Sequence, residues 1–593
     1  MNGSRNGVLI EEEEEKRLYT EDGSVDLRGQ PVLRSNTGRW TACSFMVVYE
    51  VFERMAYHGI SSYLFIYLTT KLHQGTVTSA NNVTNWLGTN WMITVLGAYV
   101  ADALLGRYWT FLIGSAIYFL GMSLLTLSVS IDPLKPSSCS DSTDVHCQPT
   151  TLQLVVFFAA LYILSLGNGG AKPNISTIGA DQFDEFDPRE KAQKLSFFNW
   201  WMFSIFLGSL FATTVLVYIQ DNVGWTLGYG IPTIGIAISI LIFFAGTPFY
   251  RHKRPMGSPF TKMIKVIVSS IIKWKVEIPT DPKELFEFDP IEYRKGKYMI
   301  DSTTGMRFLN KACLRTNSSK PWLLCSVTQV EETKQMLRMI PILVVTFIPS
   351  TLYAQYTTLF VKQSTTLNLH IGSFEVPPAS IVGFISLSML ITVVFYDRIF
   401  VKTIRKWTKN PRGITLLQRM GIGMILHITV MAIASLIERY RIHVARENGV
   451  VENGNQVPLS LFILLPQFIL FGMSDAFLNV AKVEFFYDQA PESMKSLGTS
   501  YWMISLGAGN FLSSLLLTIV SNVTSVEGHD GWIRNNLNDS HLDYYYALLA
   551  ILSAVNFVLF LAVARFYVYR AEVSDSMKVL AEELMVRKMR GEE

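Results

Sequence analysis

Residues 41–68, TACSFMVVYEVFERMAYHGISSYLFIYL, are apolar enough to read as a membrane helix, yet they hold two acids and a base, Glu50, Glu53 and Arg54, in their middle. At 1.5 Å per helical residue the three lie about 10–14 residues past Trp40, near mid-bilayer, where each ionised group costs about 2.5–3.5 kcal/mol. Helical spacing puts Glu50 one turn from Glu53 and four residues from Arg54, so all three project from one face and can neutralise one another toward a bundle interior. Such a cluster is either a structural ion pair locking the helix to a neighbour or part of a carrier or proton relay, the class in which intramembrane charges concentrate.

The rest of the chain is of the same kind. Of 593 residues, 49% are hydrophobic and 17% charged, with a mean hydropathy of +0.27, too apolar for an ordinary soluble enzyme. The net charge of +3 gives no reason to expect a nucleic-acid partner. Apolar windows of about 20 residues fall at 41–70, 84–105, 108–130, 151–180, 197–219, 226–248, 335–360, 377–396, 415–437, 459–483, 499–521 and 543–568. These twelve spans predict an all-α membrane protein embedded in a lipid bilayer. An even number places both termini on one side, and Lys and Arg choose the side. The segment 249–334 holds sixteen of them, and the connection after the eighth span adds Arg398, Lys402, Arg405, Lys406, Lys409 and Arg412, whereas 131–150 has Lys135 alone against Asp132, Asp141 and Asp144. The expected organisation is a cytosolic tail over 1–40, a six-span half over 41–248, a cytosolic linker over 249–334, a second six-span half over 335–568 and a cytosolic tail over 569–593. The first tail is polar to Arg39 and carries the acidic run Glu11–Glu15, which predicts no fixed structure. Two halves about a midplane site is the layout of secondary transporters.

In the linker, Ser258 and Pro259 fit the cap and first turn of a helix, and Phe260, Met263, Ile264, Ile267, Val268 and Ile271 recur at helical spacing opposite Lys262, Lys265 and Lys273. Such a helix lies on the inner leaflet or packs on the cytosolic end of the bundle with its basic face in water. Cys139 and Cys147 share a non-cytosolic loop, where they could close a local disulfide or remain two thiols. No cysteine spacing suits zinc, and neither a metal nor a cofactor is expected. Of the sequons on the non-cytosolic side, Asn82 and Asn522 sit close to the membrane, leaving Asn538 as the best glycosylation candidate. Neither His-Glu-x-x-His nor Gly-x-Ser-x-Gly occurs, which argues against an enzyme.

A second cluster lies in the fourth span, where Gly167–Pro173 (GNGGAKP) places Lys172 within the membrane. With Pro173 after the lysine and no strand before the glycines, this is not a phosphate loop. The glycines admit close helix packing, and a lysine in lipid calls for a carboxylate, for which Glu50 and Glu53 are the available acids. Together with Gly97–Arg107 (GAYVADALLGR), Gly179–Phe183 (GADQF), Phe197–Trp201 (FFNWW) and Phe485–Pro491 (FFYDQAP), these motifs span nearly the whole chain. On them the chain resembles the proton-coupled oligopeptide transporter family of the major facilitator superfamily, in its plant nitrate/peptide branch.

The resemblance implies that Glu50 and Glu53 bind the coupling proton and exchange ion pairs with Arg54 and Lys172. It also implies that Asp102 and Arg107 gate the cytosolic side, with Asp397 and Arg398 as their second-half counterparts. Arg54 and Lys172 would hold a substrate carboxylate, and Tyr57, Asn199, Tyr353, Gln355 and Trp502 would line the pocket. Asp475 stands where peptide-transporting relatives have a glutamate for the substrate's amino terminus. Tyr353 stands where nitrate-transporting relatives have a histidine, and a phenol cannot become the cation that holds a nitrate. Tyr57 and His58 replace tandem tyrosines, His58 being read as structural. The expected function is proton-coupled symport of di- or tripeptides by alternating access, with hormone-like or other organic anions as the alternative substrates and nitrate disfavoured. A transport-like receptor is the reading from a different class. The plasma membrane is the favoured location and the vacuolar membrane the alternative.

Overall fold

The computed structural model describes residues 19–20, 22–136, 148–184, 187–253, 257–279, 285–287, 300–315, 321–408, 413–525 and 531–567. Helix α1 spans Arg39–Ser61 and resumes after a break as Leu64–Thr70; α2 is Thr76–Val100, α3 Arg107–Ser130, α4 Thr151–Ala180, α5 Pro188–Phe211 and α6 Trp225–Ala245. Then follow α7 Pro259–Ile272, α8 Val327–Arg338, α9 Gly383–Phe395, α10 Leu416–Glu447, α11 Leu465–Gln489, α12 Lys495–Thr524 and α13 Leu542–Phe566. Among the described residues nine helices are long and apolar enough to cross a membrane, and Val327–Val345 taken together with Phe347–Tyr353 makes a tenth as one broken span. Pro341 and Pro349 flank that break, each removing a backbone donor. The first two spans miss the criterion through composition: α1 carries the three charges, and α2 opens on the polar run TVTSANNVTN.

Boundaries depart from the apolar windows where polar residues extend a helix. The second span begins at Thr76 and not at 84, and α10 continues to Glu447 past a window that ends at 437. The linker was expected to end at 334, but α8 starts inside it. Ser326 and Gln329 close a reciprocal cap there, at 3.2 and 3.3 Å, satisfying two donors of the first turn.

The chain forms two compact units: Met1–Met256 with Phe347–Asn479 and Met503–Phe557, and Gly257–Thr346 with Val480–Trp502 and Val558–Glu593. In the first unit α4 packs on α2 and α3, and α1 on α5 and α6. The contact of α4 with α2 and α3 is backbone against backbone: a Cβ on Gly97 would strike the carbonyl of Gly169, and one on Gly114 would come within 2.8 Å of the Ala171 nitrogen. The glycine run therefore sets how deep Lys172 sits. Gly169→Val, whose Cβ would meet Ile93, is expected to destabilise the detergent-solubilised protein by about 1–3 kcal/mol, read as a lower unfolding temperature; an unchanged melt would mean that the helices can part there without loss. Within the same unit the two halves of the sequence touch through Leu64–Thr70 and Leu359–Thr365, through the Asn81 amide donating to Thr518 Oγ1 at 2.8 Å, and through the Thr76 backbone N–H donating to Asn535 at 2.8 Å.

Residues 19–20 and 22–38, expected to lack fixed structure, are instead docked. Val25 and His252 exchange backbone hydrogen bonds at 2.8 and 2.9 Å. Arg34 reaches Asp184 at 2.7 Å, Arg39 reaches Glu190 at 2.9 Å, and the fully buried Arg251 pairs with Glu190 at 2.7 Å while donating to the Thr37 carbonyl. Burial alone would raise the Glu190 carboxyl, but hydrogen bonds from Arg251, the Asp184 backbone and Arg39 hold it below the ordinary carboxylate value. A depressed folded value gives stability that is present above the unfolded value near 4.3 and lost as pH falls through the folded one. Glu190→Gln should thus cost about 3–5 kcal/mol near neutral pH, by stranding Arg251, and the loss should shrink in acid. Equal destabilisation at both pH values would rule out the charge as the cause.

The second unit contains the linker. α7 starts as expected, with Ser258 Oγ accepting from the Phe260 N–H at 3.2 Å and Pro259 in the first turn. Its Val266 side is buried against Leu309, Ala312, Cys313, Cys325 and Val330, while Ile264, Ile271 and Ile272 are exposed. Lys273, assigned to the solvated face, is instead buried and donates to the carbonyls of Ala312, Leu314 and Leu323 at 3.1, 2.7 and 2.7 Å. The linker thus has a small core of its own, supported by the buried Lys334–Glu331 pair at 2.6 Å.

Candidate functional site

In α1 the i, i+4 pair forms as its spacing predicts: Arg54 Nε lies 3.1 Å from Glu50. Its Nη2 also pairs with the adjacent Glu53, and the side chains of Glu50, Glu53 and Arg54 are 2%, 2% and 8% exposed. Two carboxylates share one guanidinium, and among the described residues Glu50 Oε2 and Glu53 Oε1 have no hydrogen-bond donor. With both acids ionised the trio carries one excess negative charge in a buried place, and a single proton cancels it.

Lys172 behaves otherwise than expected. Among the described residues no carboxylate lies within ion-pair distance of it; its ammonium sits 3.8 Å over the Trp91 ring and 4.7 Å over Tyr57. Tyr57 is also 5.5 Å from the Arg54 guanidinium, so one phenol ring separates the two cations. Arg54 has taken both acids, which leaves an aromatic cage as the partner for the lysine. The glycine-backed stretch also brings Asn168, one turn before Lys172, to Asn90, the residue preceding Trp91, at 3.2 Å.

The second-half residues of the first unit form a separate polar group. Asp475 accepts from the Asn479 amide at 2.8 Å and lies 3.7 Å from His427 Nε2, both buried. Tyr353 packs edge-on to Tyr356 at 4.7 Å, and Phe471 touches Tyr356 and His427 at 5.4 and 5.1 Å. Tyr57 of the first half and Tyr353 of the second lie within electrostatic reach of each other, as do Tyr353 and Asp475. Gln355 is buried and donates to Ser513 at 3.1 Å, which makes it a helix-packing group here and not a free pocket amide. The Asn199 side chain lies outside the described residues, and Trp502 belongs to the second unit. Sequence reasoning missed Trp91, Tyr356 and His427. Its own rule that an ionisable residue within a span marks function would have found His427 between Arg419 and Glu438.

The gating assignments divide. Arg107 reaches Asp102 at 3.4 Å and Asp181 of the GADQF run at 2.5 Å, with Lys253 at 3.6 Å from Asp181. The counterpart pair, Asp397 and Arg398, sits at the equivalent π-helical turn, Tyr396–Phe400 answering Ala101–Leu105. It is a 3.8 Å contact with side chains 76% and 74% exposed, so it clamps nothing in this conformation. Asn538 is also corrected as a glycan acceptor: it is 1% exposed, its amide donates to Val450 and Asn455, and its oxygen accepts from Arg441 at 2.5 Å. Cys139 and Cys147 lie outside the described residues.

The PTR2 model, described as the POT family, matches residues 108–533. Protein NRT1/PTR FAMILY 5.2 of Arabidopsis thaliana is 64% identical over 95% of this chain and 98% of its own length, and Protein NRT1/PTR FAMILY 5.1 of the same plant is 50% identical over 94% and 95%. Among solved structures, an auto-inhibited POT family peptide transporter aligns with a TM-score of 0.64 at 19% identity, covering 90% of this chain and 98% of that one. A POT family transporter in complex with a thioalcohol-conjugated peptide aligns at 0.59 and 15%, covering 92% and 98%; at these identities the two show the fold, that of a twelve-helix major facilitator carrier in two six-helix halves. With most of the chain matched by the family model and relatives this similar along their full length, the chain belongs to the POT family, in company with the NRT1/PTR proteins, and is a multi-pass membrane transporter.

Proposed function

We propose that this protein is a proton-coupled symporter of di- and tripeptides working by alternating access, with its termini and linker in the cytosol and the plasma membrane as its location. One observation carries the reading. An acid pair with one counter-ion, able to cancel its excess charge with a proton, stands within electrostatic reach of a lysine that has no carboxylate at ion-pair distance among the described residues. Lys172 with Arg54 suits a substrate carboxylate, and Asp475 across the pocket suits its ammonium. Solved neighbours that are peptide transporters support the same class.

Organic anions are the second reading, favoured by the contacts Asp475 already has with His427 and Asn479. Nitrate is disfavoured because Tyr353 offers no cation. The test is uptake in proteoliposomes under an imposed proton gradient, with dipeptides, N-acetyl dipeptides, nitrate and plant organic acids in competition. Dipeptides should compete best, and Asp475→Asn should weaken free dipeptides far more than N-acetylated ones. Strong competition by organic acids with none by dipeptides would replace the first reading with the second.

A further inference from the structure

We propose that His427 sets the substrate class of the second-half pocket, acting as an internal cation that competes with a substrate ammonium for Asp475. The inference rests on the reading of Asp475 as the amine-binding group and deepens it. His427 Nε2 is 3.7 Å from Asp475 Oδ1, beyond a hydrogen bond but within an ion pair, and the two side chains are 2% and 5% exposed. Both ring nitrogens lack a hydrogen-bond partner among the described residues. A buried imidazole is ordinarily anchored through at least one nitrogen. This one is placed to close on the carboxylate when it carries a proton and to release it when it does not.

The neighbouring charges leave that role to it. On α11 the groups beside it are Asp475 and Asn479, whose amide takes Oδ1 at 2.8 Å. From the seventh span Tyr353 and Tyr356 face the same carboxylate. On α10 itself, Arg419 is two turns back, donating to the Ala476 carbonyl at 2.9 Å and lying 4.0 Å over Tyr396. Glu438 and Arg441, three turns on, are paired with each other at 2.6 Å. A protonated His427 makes the Asp475 pair neutral, so a substrate end without an ammonium is tolerated. A neutral His427 leaves Asp475 with an uncompensated charge that demands one. The protein would thus accept N-blocked or anionic ligands while His427 is charged and select free amino termini while it is neutral.

The experiment is counterflow in proteoliposomes at equal internal and external pH, which removes the proton gradient as a variable. It reads the KM of N-acetyl-dialanine divided by that of dialanine. His427→Gln removes the internal cation and His427→Lys makes it permanent, so the ratio should be about tenfold higher in His427→Gln than in His427→Lys, two well-folded variants that must differ in that direction. Asp475→Asn should bring it close to one. If Asp475→Asn collapses the ratio while His427→Gln and His427→Lys give the same value, the competition is wrong and the amine role survives. If Asp475→Asn leaves the ratio as in the parent, the amine role fails and the competition with it.

Discussion

Glu53→Gln is expected to abolish uphill uptake while leaving exchange of substrate across the membrane intact. Glu50 and Glu53 share Arg54, and all three are buried, so the trio is neutral only when it holds one proton. Moving an uncompensated charge through a closing, low-dielectric passage is costly, which ties reorientation of the empty carrier to protonation. Glutamine keeps the shape of Glu53 and holds it permanently uncharged, as a bound proton would, leaving a neutral Glu50–Arg54 pair beside Lys172. The carrier can then reorient without a proton. An imposed difference of one pH unit is worth about 1.4 kcal/mol, or about tenfold accumulation per proton carried. In the variant this accumulation should fall to about onefold, while counterflow at equal pH keeps most of its parental rate. Parental accumulation by correctly inserted Glu53→Gln would remove Glu53 from the coupling role.

The α1 cluster was legible because helical spacing and the cost of intramembrane charge depend on sequence alone. The Glu50–Arg54 pair is the one that i,i+4 spacing requires, whereas the pair of Arg54 with its sequence neighbour Glu53 is not set by helical spacing. The number and order of spans were legible for the same reason, although polar extensions at Thr76 and Glu447 hid two boundaries. What was not legible is which partner each charge takes. Two acids were expected to serve Lys172, but Arg54 sits on the same helix, where the pairs cost little chain entropy to form, and it takes them both. Trp91 then holds the lysine from α2, a contact that no spacing along one helix predicts. Asn538 shows the converse limit: its sequon is intact, but Arg441, 97 positions earlier, buries it. The linker core was invisible because its apolar residues, from Val266 to Val330, are scattered among charged ones and meet only in three dimensions.

Lys172→Gln should be more damaging than Glu53→Gln, because it removes a charge that both transport modes use. The cage of Trp91 and Tyr57 offers the ammonium about 0.5–2 kcal/mol, less than a desolvated carboxylate with hydrogen bonds can supply. The lysine is therefore held in place without being satisfied. An arriving substrate carboxylate is its natural partner, and Arg54, already matched by two acids, cannot substitute for it without releasing one. For free dipeptides the variant is expected to lose about 100-fold in kcat/KM, roughly 2.7 kcal/mol, in gradient-driven uptake and in counterflow alike. Dipeptide amides, which lack the carboxylate, should lose far less. Measuring both substrates in both modes separates two roles for this residue. If amides and free acids fall by the same factor, Lys172 serves the reorientation of the carrier and not the substrate's carboxyl end.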